Sequence, residues 1–174
     1  MIDWDFIQAK YREILTELKL LNGDSHWHIA AKKITITSHK TKYGMADING
    51  TVHINQAFIG STAYQLLEAT IRHELAHLAV GIQHGHDKFF RAKAQLFKAQ
   101  FGRHLKPDIQ QIHTAIGYKY QLYATVLDGD NKNPIEILFR RVHRKHSKYL
   151  NYKPSRFHYL TIQGKKVLRF RYQA

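Results

Sequence analysis

His73-Glu74-Leu75-Ala76-His77 and, after a short gap, His86-Asp87-Lys88-Phe89-Phe90 carry the densest chemistry in this 174-residue chain. The first has the H-E-x-x-H spacing, which a chain with 13 His and 5 Glu would produce by chance about 0.03 times. On a helix, at about 100° per residue, His77 lies about 40° around the axis from His73 and one turn along it, so both imidazoles can reach one metal ion. Glu74 lies beside that point, where a carboxylate serves as general base toward a water polarised by the metal. Leu67, Ile71, Leu75 and Leu78 fall on the opposite side of the same helix, and Ala69 and Ala76 leave room on the histidine side. The helix therefore has a packing face that does not use its histidines.

A tetrahedral catalytic zinc needs a third protein ligand and an open fourth position. Downstream acids are few, and Glu136 lies far off in a β-patterned region, whereas His84 and His86 follow closely in Gln83-His84-Gly85-His86-Asp87. His86 is preferred because it precedes Phe90 by four residues and shares that residue's helical stripe. His84 is the alternative.

Outward from this motif the chain separates into two patterns. Residues 3–21 place Ile7, Tyr11, Ile14, Leu15, Leu18 and Leu21 at helical spacing before the stop signal Asn22-Gly23. Short alternating runs between Trp27 and Ile54, punctuated by Tyr43-Gly44 and Asn49-Gly50, predict two or three antiparallel strands. Thr62-x-x-Gln65 reads as a capping box opening a helix to about Val80. Asp87 is expected to cap a second helix that carries Phe90, Ala94, Phe97 and Phe101 and ends at Gly102. Pro107-Asp108 predicts a short helix to about Ile116. From Tyr118 the pattern is β again, with Val167 to Tyr172 alternating and turns at Asp128-Gly129 and Gln163-Gly164. The expected fold is α+β: a metal-binding domain over residues 1–104 and a small β-rich module over residues 105–174, with a boundary region near 103–117.

Composition narrows the chemistry. The chain has no cysteine, so disulfides, thiolate nucleophiles and Cys-held metals are excluded, and any metal must rest on His, Asp or Glu. No apolar run approaches the roughly 18–20 residues of a membrane span, and the start carries no basic-then-apolar leader pattern, so a cytoplasmic protein without a membrane partner is expected. Lys and Arg number 27 against 13 Asp and Glu, a net charge of +14. That charge is local: residues 1–60 carry +1, residues 61–102 carry +2 and residues 103–174 carry +11. The concentration predicts a dedicated anion-binding region. Its densest part holds Arg140, Arg141, Arg144, Lys145 and Lys148, spaced to neutralise successive phosphates, with no base-reading motif nearby. The tail's many aromatics are read first as core and second as stacking platforms, and His143-x-x-His146 as part of a basic strand or loop.

Together these residues resemble the SprT family of zinc metallopeptidases, which includes the Spartan proteases of DNA–protein crosslink repair. The resemblance covers most of the chain. Tyr43-Gly44-Met45-Ala46 and Ile54-Asn55-Gln56-Ala57-Phe58-Ile59 loosely match the family's upstream turn and strand; His73, Glu74 and His77 match its H-E-x-x-H; His86-Asp87-Lys88-Phe89-Phe90 matches its H-G-x-x-[FW], with Asp87 in place of Gly. The resemblance implies a zincin-like fold and one catalytic Zn²⁺ on His73, His77 and His86. It also implies peptide-bond hydrolysis, with Glu74 as base and later proton donor, and regulation by DNA with action at the nucleoid. Many bacterial relatives carry a four-cysteine zinc ribbon where this chain has residues 118–172, and here that module must fold without its metal, on an aromatic core.

Two other functions fit parts of the pattern. One is a metal-dependent nuclease of the YbeY-like three-histidine type, against which the Glu at position 74 argues because those proteins carry Gly there. The other is a nucleic-acid-binding protein with a structural metal and no activity. Tyr43 is a candidate to stabilise the oxyanion of a hydrolytic reaction.

Overall fold

Asp3 opens the first helix, its carboxylate accepting the amide of Phe6 at 2.8 Å, and α1 runs Trp4–Asn22 in the computed structural model. The structure describes residues 1–23, 26–127 and 133–174; the expected Asp128-Gly129 turn lies outside them. Ile7, Tyr11, Ile14 and Leu18 are buried along one stripe. Leu21, in the last turn, stays 49% exposed because the stripe has left the core by then.

The chain divides into two compact units, Met1–Ile116 and Gly117–Ala174. The division falls after the helix α4 (Lys106–Ile116) and not at 104/105, because Leu105 and Ile112 are buried in the first unit's core. The architecture is mixed α+β.

In the first unit β1 (Lys33–Thr37), β2 (Gly44–Ala46) and β3 (Thr51–Asn55) form a sheet of order β1-β3-β2. The expectation of antiparallel strands holds for β2 and β3, which pair Gly44 with Ile54 and Ala46 with Val52 across the Asn49-Gly50 turn. It fails for β1, which pairs with β3 in parallel, Lys33 opposite Thr51 and Thr37 opposite Asn55. The cause is the connection 38–43, which carries the chain past the end of β3 to its far side. The side-chain amide of Asn55 holds that crossing by donating to the carbonyls of His39 and Lys42, at 2.6 and 2.8 Å.

The helix α2 (Tyr64–Val80) is buried nearly all round, as a helix at the centre of a core must be, with Leu67, Ile71, Leu75 and Leu78 fully inside. Its start differs from the expected capping box. The N-cap position is Ala63, without a side-chain cap, and the Thr62 hydroxyl turns instead to Gln111. Asp108 of α4 supplies the missing acceptor: its carboxylate takes the amide of Leu66 at 3.0 Å, the bond a Ser or Thr cap would make locally. Asp108→Ala is expected to lower stability by about 1 kcal/mol, as loss of a local cap does, measured by urea unfolding.

Arg72, on α2, is buried yet charged. Its guanidinium pairs with Glu17 of α1 at 2.7 Å and Glu68 at 2.9 Å, and donates to the Phe97 carbonyl at 3.3 Å. A buried cation is tolerable only when paired and hydrogen-bonded, and this one ties three segments together. The helix α3 (Lys88–Leu96) is capped by Asp87, as expected, through the amides of Phe89 and Phe90. It ends at Leu96, short of Gly102, with Lys98 taking φ 56° just beyond. Phe101 therefore stands on the segment after the helix and not on its stripe.

The second unit is a four-stranded sheet of order β5-β4-β7-β6, built from β4 (Tyr120–Leu127), β5 (Pro134–Val142), β6 (Thr161–Ile162) and β7 (Lys165–Gln173). A short helix, α5 (Ser147–Leu150), stands between β5 and β6. Gln163 and Gly164, at φ 53° and 76°, make the expected turn between the last two strands. Ala124, Val126 and Val167 are fully buried, with Phe139, Tyr152 and Phe170 packed against them. The Tyr152 hydroxyl donates to the Val167 carbonyl and accepts the Leu160 amide, a polar tie inside an aromatic core.

Candidate metal centre and cleft

The loop after α2 determines which histidines meet. Residues 82–84 form a single 3-10 turn, and Gly85 takes φ 54°, ψ −125°, a conformation open to glycine, which reverses the chain toward α2. His86 is thereby placed just before the start of α3, beside His73 and His77. Ligand nitrogens of His73, His77 and His86 all lie within 4.8 Å of one another, and the Nε2 atoms of His73 and His86 are 3.0 Å apart. Two nitrogens each about 2.0–2.1 Å from one tetrahedral ion stand roughly 3.3 Å apart, so this spacing fits a shared metal. His84 is not in the group. Its Nδ1 pairs with the Asp87 carboxylate at 2.8 Å and its ring lies edge-on to Phe89, which makes it a partner of the α3 cap.

Phe90 organises the three rings. It stacks on His77 at 4.0 Å between centroids and stands edge-on to His73 and His86, both at 4.8 Å. Burial lowers the pKa of His73 and of His77 to about 4, with the neighbouring imidazoles adding to the effect. These two imidazoles are neutral at pH 7, the state in which nitrogen ligates a metal. Imidazole sets suit zinc, copper, iron or nickel, so the residues fit a transition metal without specifying which.

Glu74 is buried beside the group, and burial pushes its carboxyl up to about 7 against the opposing pull of an Ala46 amide bond and the Lys42 charge. A cation among the histidines would favour its charged form. The Ala46 contact follows from strand alternation. The Tyr43 carbonyl and the Asp47 amide face β3, so the backbone groups of Gly44 and Ala46 face the other way, toward α2. Gly44 makes the approach possible: a Cβ there would stand 2.7 Å from Thr70 Cγ2 and 2.9 Å from Glu74 Cγ. Gly44→Ala is expected to push β2 off Glu74 and lower any activity of this site about tenfold or more, at unchanged metal content, since small misplacements of catalytic groups are costly.

His73, Glu74, His77 and His86 line one cleft with Tyr43, Gly44, Met45 and Ala46, about 410 Å³ in volume. Tyr43 is thus at the site, its hydroxyl 2.7 Å from His113 Nε2. The sequence pattern located the histidines and Glu74. It missed the roles of Gly44 and of the Ala46 amide, for which the only signal was a glycine read as turn punctuation.

In the second unit Arg140, Arg144, Lys145 and Lys148 are exposed and Arg141 is half-buried, and none of the five forms an ion pair among the described residues. Several rest on aromatic faces: Arg140 on Phe139 at 4.3 Å, Lys145 on Tyr120 at 5.1 Å and Lys148 on Tyr149 at 5.9 Å. Phe157 and Tyr159 are 81% and 47% exposed, with Arg156 and Lys166 beside them. His146 caps α5 through the Lys148 amide, and His143 stacks near Tyr118; among the described residues His73, His77 and His86 make the only metal-competent group.

No model of a known protein family, no curated protein and no solved structure matches the chain. No helix among the described residues is long and apolar enough to cross a membrane.

Proposed function

We propose that this chain is a zinc-dependent metallopeptidase of the SprT type with a zincin-like catalytic unit, cleaving proteins associated with DNA. The observation that carries the reading is the convergence of His73, His77 and His86 with a buried Glu74 in one cleft floored by the edge strand β2. His73, His77 and His86 would hold the zinc, which when bound polarises a carbonyl and acidifies water. Glu74 accepts the proton released as water attacks the scissile carbon and then delivers it to the leaving amine. The Ala46 amide fixes the carboxylate for both steps.

The edge strand favours a peptide over a nucleic acid as the substrate of this cleft. Among the described residues β2 pairs on one side only; of its outward backbone groups the Ala46 amide is taken by Glu74, and the Gly44 amide with the Gly44 and Ala46 carbonyls is what it offers an extended chain along the cleft. A phosphodiester has no such pattern to match. The basic second unit supplies a different contact. Its cations would neutralise phosphates, and Phe157 and Tyr159 offer faces to unpaired bases, so the proposed DNA partner is bound without regard to sequence.

The test is to incubate zinc-loaded protein with denatured and histone-like proteins, with and without single-stranded DNA, in rising salt. Cleavage of protein, stimulated by DNA and losing that stimulation steeply between 50 and 200 mM salt, is the expected result. Cleavage of nucleic acid in place of protein would assign the chain to the nucleases, and no cleavage with DNA bound would make it a binding protein.

A further inference from the structure

The edge strand β2 has three residues, and the two that face α2 are Gly44 and Ala46. They bring almost no apolar side chain to bury, so packing holds this strand weakly. Its hydrogen bonds to β3 fix it along the plane of the sheet. The ties beyond its far end also run from strand to strand: the Asp47 carboxylate meets His53 of β3 at 2.9 Å, and His53 meets the Thr35 hydroxyl of β1 at 2.9 Å. The separation of Gly44 and Ala46 from Glu74 runs across that plane, where ladder bonds give little control.

One bond acts in the missing direction. Tyr43, the residue before β2, has its hydroxyl hydrogen-bonded to His113 Nε2 at 2.7 Å, and the two rings stack with centroids 5.8 Å apart. His113 belongs to α4, which is itself fixed to the start of α2: the Asp108 carboxylate accepts the Leu66 amide at 3.0 Å, and the Gln111 side-chain oxygen accepts the Thr62 hydroxyl at 3.3 Å. A ring of contacts therefore closes, from β2 through Tyr43 and His113 to α4, on to α2, and back through Glu74 to the Ala46 amide. Tyr43 lines the cleft, whereas His113 stands behind it, outside the metal group.

Resting on the peptidase reading for its consequence, we propose that His113 is a positioning residue of this site: through the Tyr43 hydroxyl it holds the start of β2 against α2 and keeps the Ala46 amide on the Glu74 carboxylate. Released from His113, the strand retains its pairing with β3 but gains freedom to lift from α2. Catalytic geometry tolerates little displacement, so the loss falls on cleavage. It spares the metal, whose three candidate ligands stand on α2 and in the turn before α3.

The experiment compares the full chain with Tyr43→Phe, which removes one oxygen and keeps the ring, His113→Leu, which keeps the bulk, and His113→Gln, whose side-chain amide can still bond the hydroxyl. The first quantity read is hydrogen exchange of the Ala46 amide without added metal, with the Leu75 amide in the middle of α2 as internal reference. Tyr43→Phe and His113→Leu should each speed exchange at Ala46 about three- to tenfold, the weight of one hydrogen bond, and leave Leu75 unchanged. In zinc-loaded protein the same two variants should lower kcat/KM for protein cleavage by a similar factor at unchanged metal content. The double variant should fall no further than either single one, and His113→Gln should stay within about twofold of the parent. Unchanged exchange at Ala46 in His113→Leu, or equal acceleration at Leu75, overturns the clamp. A fall in cleavage in Tyr43→Phe that His113→Leu does not reproduce assigns the hydroxyl to the substrate and overturns it too, as does faster exchange with cleavage intact. Absence of any cleavage by the zinc-loaded parent overturns the peptidase reading, while exchange at Ala46 still decides whether His113 holds β2.

Discussion

Glu74→Gln is expected to lower protein cleavage roughly 10²- to 10⁴-fold while leaving the metal content unchanged. The glutamine has the shape of the acid and keeps an oxygen for the Ala46 amide, so β2 and the metal group stay in place. What it loses is the capacity to accept and return a proton. Parallel measurement of bound metal and of cleavage checks this, and full activity in Glu74→Gln would show that the proton is handled elsewhere. The same substitution has a signature in metal-free protein. A carboxyl whose pKa is raised from 4.5 to about 7 by burial is held in its protonated form by folding. Its contribution is intact below about pH 4.5 and is lost as pH rises to about 7, by at most about 3 kcal/mol. Metal-free Glu74→Gln should therefore gain stability over the parent as pH rises through that window. The comparison isolates Glu74 from His73 and His77, whose lowered values act in the opposite direction.

His77→Ala, and equally His86→Ala, should lose the metal and with it all cleavage. Removing one of three ligands is expected to cost more affinity than the roughly 10- to 100-fold that follows loss of a supporting contact. His84→Ala should stay within that smaller range, because its ring is engaged with Asp87 and Phe89 and not with the ligand group. Competition against a chelator of known affinity measures all three. Retention of tight binding by His86→Ala, with loss in His84→Ala, would exchange the two histidines.

Much of this site was legible before folding because its information is periodic. H-E-x-x-H fixes two imidazoles and a carboxylate side by side by helix geometry alone, and the opposing stripe Leu67, Ile71, Leu75 and Leu78 fixes which way the helix turns. The helical stripe that singles out His86 in the sequence is one it does not occupy, since it stands in the turn before the α3 cap; its ring nonetheless meets Phe90, whose ring lies among all three imidazoles. The basic tail was legible as charge, and the aromatic packing of Phe139, Tyr152 and Phe170 accords with a module built without cysteine.

What escaped the sequence were relations between distant segments, which no local pattern encodes. Thr62 and Gln65 have the form of a capping box, yet the α2 cap comes from Asp108, because a carboxylate held by a neighbouring helix satisfies the Leu66 amide as well as a local one. The parallel pairing of β1 with β3 depends on a crossing held by Asn55, not on the alternation of either strand. Sequence by itself determined the candidate metal-binding residue types, their helical spacing, the α+β pattern and the division of charge, all set by short-range periodicity and composition. Tertiary structure alone decided which acid caps α2, which way β1 runs, and how closely Gly44 lets β2 approach Glu74, since these depend on contacts between surfaces that meet only when the core closes.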